Sequence, residues 1–279
     1  ATFREVGLGV IPEGNPATAV GPNVVTEDFG RNGSGPSIFL LGVSYTDADN
    51  NNFYSVGEGR NGASVAGAGA TTATTTSGGY VLTPTAGTQN ITFSGGGLAN
   101  PLVVLVDLAA GINFKFVVIG QSSVATSVSL MILSGVTKVT GLGVTGLTLT
   151  GNAAANTFVG TQGNDTIDGD AGTDFVNYTG NRSSFTITKT ATGQTVTGAQ
   201  TGTDTLAGVE RLVFTDSSVA YDIGSNQIAG EAYRVYQAAF NRVPDQPGLG
   251  YWIRELDAGK GDLAWVANNF IISNEFKAT

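Results

Sequence analysis

The chain has 279 residues and a formal net charge of −9, with 41 glycines, no cysteine and no histidine. No disulfide, thiolate metal site, imidazole base or Ser-His-Asp triad can form from it, which removes most hydrolase mechanisms, and its acidity would repel a nucleic-acid backbone. The longest apolar stretch, Pro101 to Gly120, is broken by Asp107, Asn113 and Lys115, so nothing reaches the ~18 apolar residues of a transmembrane segment.

Residues 1–150 read as a β-rich assembly or binding domain. β-like runs occur at Ser37–Tyr45, Gly79–Leu82, Asn90–Ser94, Pro101–Leu108, Asn113–Ile119 and Ser127–Leu133, punctuated by Gly, Asn, Ser and Pro. No signal peptide is visible at the start; one has been removed, or export reads a signal elsewhere. Between Asn61 and Asn164 only Asp107, Lys115 and Lys138 carry charge. Such a surface does little to keep copies of the chain apart, which suits self-association; it also suits an ordinary β-sandwich with a Thr-rich exterior.

Within this region Asp47, Asp49, Asn51, Phe53, Ser55 and Glu58 have the spacing of a twelve-residue calcium loop. The side chains of Asp47, Asp49, Asn51 and Ser55, the Phe53 carbonyl and both oxygens of Glu58 would be the ligands. Asn52 stands where glycine is usual and tolerates the left-handed turn. The flanks are strand-like before and Gly/Ala-rich after, which argues against a true EF-hand and favours an Asn/Asp-rich surface hairpin loop.

Residues 151–227 open with three gapless nonads, GNAAANTFV from Gly151, GTQGNDTID from Gly160 and GDAGTDFVN from Gly169. The second and third fit G-G-x-G-x-D-x-U-x, where U is a large apolar residue, at Gly160, Gly163, Asp165 and Ile167 and at Gly169, Gly172, Asp174 and Val176. The first has Asn156 in place of the aspartate. Asp165, Asp168, Asp170 and Asp174 lie close in sequence with no cation nearer than Arg182, a repulsion that a divalent ion would remove. Calcium, which takes six to eight hard oxygens, is the expected cofactor. The candidate ligands are Asn156, Gly160, Gln162, Gly163, Asp165, Gly169, Ala171, Gly172 and Asp174. A Gly/Asp-rich hairpin loop without an ion is the alternative. Beyond the repeat, the bulky residues of Ser184–Thr188 and Leu212–Phe214 alternate with a strand's period.

These nonads resemble the RTX (repeats-in-toxin) family, proteins exported by Gram-negative type I systems. The resemblance implies a parallel β-roll in which each nonad is a turn plus a short strand, with calcium between turns 18 residues apart. By that likeness Asn156 and Asp174 share one side of the roll, and Asp165 would need a partner near Arg182, where the repeat has decayed. The stretch Gly202 to Asp216 resembles the segment that closes such rolls, with Leu206, Val209, Leu212 and Phe214 as the cap. Asp204, Glu210 and Asp216 then read as groups satisfying turn backbone rather than as further ligands.

Residues 228–279 switch to a helical period. Ile228, Ala232, Val235, Tyr236, Ala239 and Phe240 share one face. Asp245 is placed to cap a second helix with Pro247 in its first turn; Gly259 and Gly261 end it. Asp262 caps a third helix and Ser273 a short fourth. So short a last helix suggests that the polypeptide continues past Thr279. The segment Gly230 to Phe276 resembles a small helical domain of unknown function found near the C-termini of exported RTX proteins.

The fold class expected is therefore mainly β: an N-terminal β-rich domain, a short parallel β-roll with capping strands, and a small helical domain. The function expected is that of a secreted calcium-binding structural protein, not an enzyme, assembling with copies of itself on the bacterial surface as a layer, sheath or filament. A calcium-dependent adhesin that grips a glycan, such as cell-surface polysaccharide, or a host surface is the alternative, with Tyr45, Phe53 and Tyr54 as its aromatic cluster.

Overall fold

The computed structural model describes residues 5–12, 23–30 and 38–278. Ser37, which begins the first predicted run, lies outside them. The protein is mainly β, with two large mixed sheets and a two-stranded ribbon. It divides into two compact units, Ala1–Leu149 and Thr150–Thr279.

In the first unit β1 (Glu5–Pro12) and β2 (Asn23–Gly30) form the antiparallel ribbon. There follow β3 (Leu40–Tyr45), β4 (Ala63–Gly67), β5 (Ala70–Ala73), β6 (Gly79–Leu82), β7 (Gly87–Gly95), β8 (Leu102–Leu108), β9 (Phe114–Ile119), β10 (Ser123–Thr126), β11 (Leu130–Ser134), β12 (Lys138–Gly141) and β13 (Thr148–Thr150). They lie in two layers, ordered β12-β10-β9-β3-β6 and β13-β11-β8-β7-β4-β5. Alternation builds the core between them. In β8, Leu102, Val104, Val106 and Leu108 turn inward, and each such buried side chain stabilises the fold by ~1.5–3 kcal/mol. Phe93 of β7 stacks on Phe116 of β9 with ring centres 5.3 Å apart, so the layers meet face to face.

Two departures from the sequence reading have local causes. The run predicted at Ser127–Leu133 is interrupted, because the buried Thr126 hydroxyl donates to the Val128 carbonyl and accepts from its N–H, bending the chain from one layer to the other. β4 and β5 have no large alternating residues to announce them. β4 faces the core with Ala63, Val65 and Gly67, and a Cβ on Gly67 would come 2.4 Å from the tip of the Ile91 side chain, which would have to turn aside to admit it.

The second unit begins with β14 (Thr157–Val159), β15 (Thr166–Asp168) and β16 (Phe175–Asn177), one per nonad. Successive strands alternate between two layers, so Thr157 pairs in parallel with Phe175 and the apolar residues Phe158, Ile167 and Val176 all point inward. This is a parallel β-roll. The chain then leaves it for an antiparallel hairpin, β17 (Phe185–Lys189) and β18 (Gly193–Gly198), and returns through β19 (Gly202–Ala207), β20 (Arg211–Val213) and β21 (Ser218–Ala220). β19 pairs in parallel with β15, and β20 with β16. The interior is closed by Leu206, Val209, Leu212 and Phe214, with Tyr178, Phe185 and Phe214 in mutual ring contact.

Four helices complete this unit: α1 (Ile228–Phe240), α2 (Gln246–Asp257), α3 (Leu263–Ile272) and α4 (Asn274–Lys277). Asp245, Asp262 and Ser273 accept from the N–H groups of Gly248, Trp265 and Phe276, as their positions in the sequence predict. Tyr236, Phe240, Val266 and Phe270 form the helical core. Arg211 of β20 ties the helices to the roll. Its guanidinium forms ion pairs with Asp222 and with Asp257 of α2, and Asp222 also accepts from Ala229 N–H at the start of α1. All three residues are buried or nearly so, where breaking a pair costs about 3–5 kcal/mol.

Candidate functional site

The turns of the roll explain their own consensus. The sixth residue of each nonad folds back over the first, and at Gly151 and Gly169 a backbone carbonyl of the next winding also closes in, so only glycine fits at those two. A Cβ would lie 2.3 Å from Gly169 O and 2.6 Å from Asn156 Oδ1 at Gly151, 2.1 Å from Gly208 O and 2.7 Å from Asp174 Oδ2 at Gly169, and 2.5 Å from Asp165 Oδ2 at Gly160. There Asn156 accepts from Asn152 N–H at 2.9 Å and Asp165 from Thr161 N–H at 2.6 Å.

These residues also stack between windings. Asn156 N–H donates to Asp174 Oδ1 at 2.7 Å, 18 residues on. Asp174 N–H donates in turn to Glu210 Oε2 at 2.8 Å, 36 residues on. On the other side Asp165 N–H donates to Asp204 Oδ1 at 2.9 Å, 39 residues on. Asp165 thus has its partner, but it is Asp204 and not a residue near Arg182. The β17–β18 hairpin separates consecutive windings in the sequence, and no fixed spacing could reveal the pair. Asp204, Glu210 and Asp216 all accept backbone N–H groups, Asp216 from Arg182.

Burial charges these rungs with consequence. Asp174 and Asp204 are each pushed up to about 7, chiefly by desolvation; the hydrogen bonds from Asn156 and Asp165 N–H oppose the shift. Glu210 is raised for the same reason. Asp174 Oδ2 is buried without a hydrogen-bond partner among the described residues. Of the other predicted ligands, Gly160, Gly163 and Gly169 sit within the turns, while Gln162, Ala171 and Gly172 are exposed or nearly so. An ion held here would draw many of its oxygens from turn carbonyls, because among the described residues the roll brings no three carboxylates together.

The 47–58 loop does. Among the described residues Asp47, Asp49 and Glu58 form the group of acids whose ligand oxygens all lie within 4.8 Å of one another. The loop leaves β3 and is closed at its base by Thr46 N–H to Glu58 O at 3.0 Å and Arg60 N–H to Ser44 O at 2.8 Å. The buried Arg60 guanidinium donates to the Gly96 and Gly120 carbonyls and anchors that base. Inside, Asp47 Oδ1 accepts from Asn52 N–H, Asp49 Oδ1 from Asn51 N–H, Asn51 Oδ1 from Phe53 N–H, and Glu58 from Ala48 and Ser55 N–H. Asn52 has φ +61°, the left-handed conformation required of the sixth loop position. Tyr45 donates to the Asn52 carbonyl at 2.9 Å. Its hydroxyl is pushed up to about 12, mainly by burial and then by the charges of Asp47, Glu58 and Asp49. Phe53, Tyr54 and Val56 are exposed around this cluster.

A family profile described as "Domain of unknown function (DUF4214)" matches residues 231–279, which is the helical region from within α1 onward. No curated protein matches the chain. No solved structure matches it either.

Proposed function

We propose that this chain is a calcium-binding structural protein of the exported RTX type that assembles with further copies of itself on the bacterial surface. The observation that carries the calcium reading is the meeting of Asp47, Asp49 and Glu58 in a loop whose spacing and left-handed sixth residue suit a hard cation. The roll supports it from a second place: its stacked turns bury carboxylates, and an anionic oxygen such as Asp174 Oδ2 with no donor against it is where a cation or a proton belongs. The nearly uncharged stretch from Asn61 to Asn164 supports assembly. The absence of histidine and cysteine from the sequence argues against an enzyme.

Calorimetric titration of the full chain with calcium tests the first half; no heat and no rise in Tm at millimolar calcium would dispose of it. Electron microscopy with and without chelator tests the second half. Lattices or filaments that dissolve on chelation are expected, and assemblies indifferent to excess chelator would separate assembly from calcium.

One observation favours the adhesin reading: exposed Phe53 and Tyr54 stand beside the acid cluster, as aromatic faces stand beside polar groups in sugar sites. Calcium-dependent binding on a glycan array, lost in Phe53→Ala, would favour it over assembly.

A further inference from the structure

Natural sheets guard their free edges with charge, proline or brevity, because an open edge is a template for another strand. In the second unit both end strands are guarded. β17 ends in Lys189 and follows Arg182, and β21 is three residues long between Asp216 and Asp222. In the first unit β6 is followed closely by Pro84. β5, four residues long, is guarded by brevity alone. It is the last strand of its layer among the described residues, and neither it nor its neighbours β4 and β7 contain a charged residue or a proline.

We infer that β5 is the seam through which two copies of this chain pair, antiparallel and edge to edge; this rests on the assembly reading above. Thr74 N–H donates to Ala63 O in the β4–β5 ladder. By alternation Ala70 and Thr72 bond toward β4, while Thr71 and Ala73 turn their N–H and C=O groups to the open side. A two-fold axis through Thr72 sets Thr71 of each copy opposite Ala73 of the other and satisfies all four groups. The occupant is a second copy because the strand complements itself. It is also the place where the repulsion between two chains of net charge −9 is weakest, since no residue from Asn61 to Val106 bears charge.

The experiment is sedimentation of the full chain in calcium, wild type against the double variant Thr71→Lys, Ala73→Lys. A second probe uses the cysteine-free background: Thr72→Cys faces itself across the seam and should oxidise to a covalent dimer, whereas exposed Ser217→Cys, on the turn before β21, should not. Association of the wild type, its loss in the lysine variant with the thermal transition kept, and selective cross-linking at position 72 are expected. A wild type that stays monomeric at every concentration overturns both the assembly reading and the seam. A wild type that assembles while the lysine variant assembles equally well, or while position 72 cross-links no better than position 217, overturns the seam alone.

Discussion

In the 47–58 loop three carboxylates face one another, from the exposed Asp49 to the buried Glu58, whereas in the roll Asp165, Asp174 and Asp204 are buried and face backbone N–H groups of their own or the preceding winding. Both segments are Asp-rich, and both suit calcium by composition. The difference lies in what the acid does without a ligand. In the roll it holds one turn to the next, so its charge is bound up with folding. In the loop the backbone bonds fix the shape, and the mutual repulsion of the acids is left for a cation to relieve.

The largest effect expected from this contrast is on the pH dependence of stability. Asp174 and Asp204 stand near 7 in the folded protein against an ordinary 3.8. Between these values the folded state holds protons that the unfolded state has released, so stability falls as pH rises from about 4 to above 7. For two groups the loss is on the order of a few kcal/mol. Denaturant unfolding in chelator at pH 5 and pH 8 should show it, and Asp174→Asn should flatten the slope. If calcium seats on these rungs, adding it should flatten the slope as well. A stability that rises over this range would contradict the burial of the rungs.

Next in size is the removal of a rung. Asp174→Ala leaves the buried N–H of Asn156 without its acceptor, at a cost of about 1–3 kcal/mol. Asp174→Asn keeps an acceptor oxygen and should cost much less in chelator. Equal losses in the two variants, measured by urea unfolding, would mean that the carboxylate charge and not the hydrogen bond holds the turn.

The contrast also marks what the sequence made legible. The nonads, through their resemblance to the RTX repeat, announced the roll, and the caps Asp245, Asp262 and Ser273 announced three of the four helices, because each signal is local. The Asp165–Asp204 rung was hidden by the inserted hairpin, and β4 and β5 by small residues that pack without apolar alternation. The 47–58 loop was visible as a spacing. Its strand-like flanks pointed to a plain surface hairpin, and only the fold brings Asp47, Asp49 and Glu58 together.

In the loop the expected effects fall on affinity as well as on folding. Glu58 accepts the Ala48 and Ser55 N–H groups on separate oxygens, so Glu58→Gln keeps one acceptor and turns its amide NH2 toward the other N–H, and stability in chelator should fall by about 1–3 kcal/mol. Calcium affinity should drop at least about tenfold, or ~1.4 kcal/mol. Calorimetry on this variant beside Asp174→Asn assigns the ion: a deficit confined to Asp174→Asn would place calcium in the roll and leave the loop a hairpin.

The smallest effect sharpens the same point. Asn52 holds φ +61°, which asparagine tolerates and glycine adopts without strain. Asn52→Gly relieves that strain but gives the unfolded chain more freedom, so the two contributions nearly cancel and stability should move by only a few tenths of a kcal/mol. Its backbone N–H still donates to Asp47 Oδ1, so the loop keeps its shape. Calcium binding should survive unchanged or tighten slightly. A marked weakening would mean that the Asn52 side chain itself contributes to the site, a role that its place in the twelve-residue spacing does not give it.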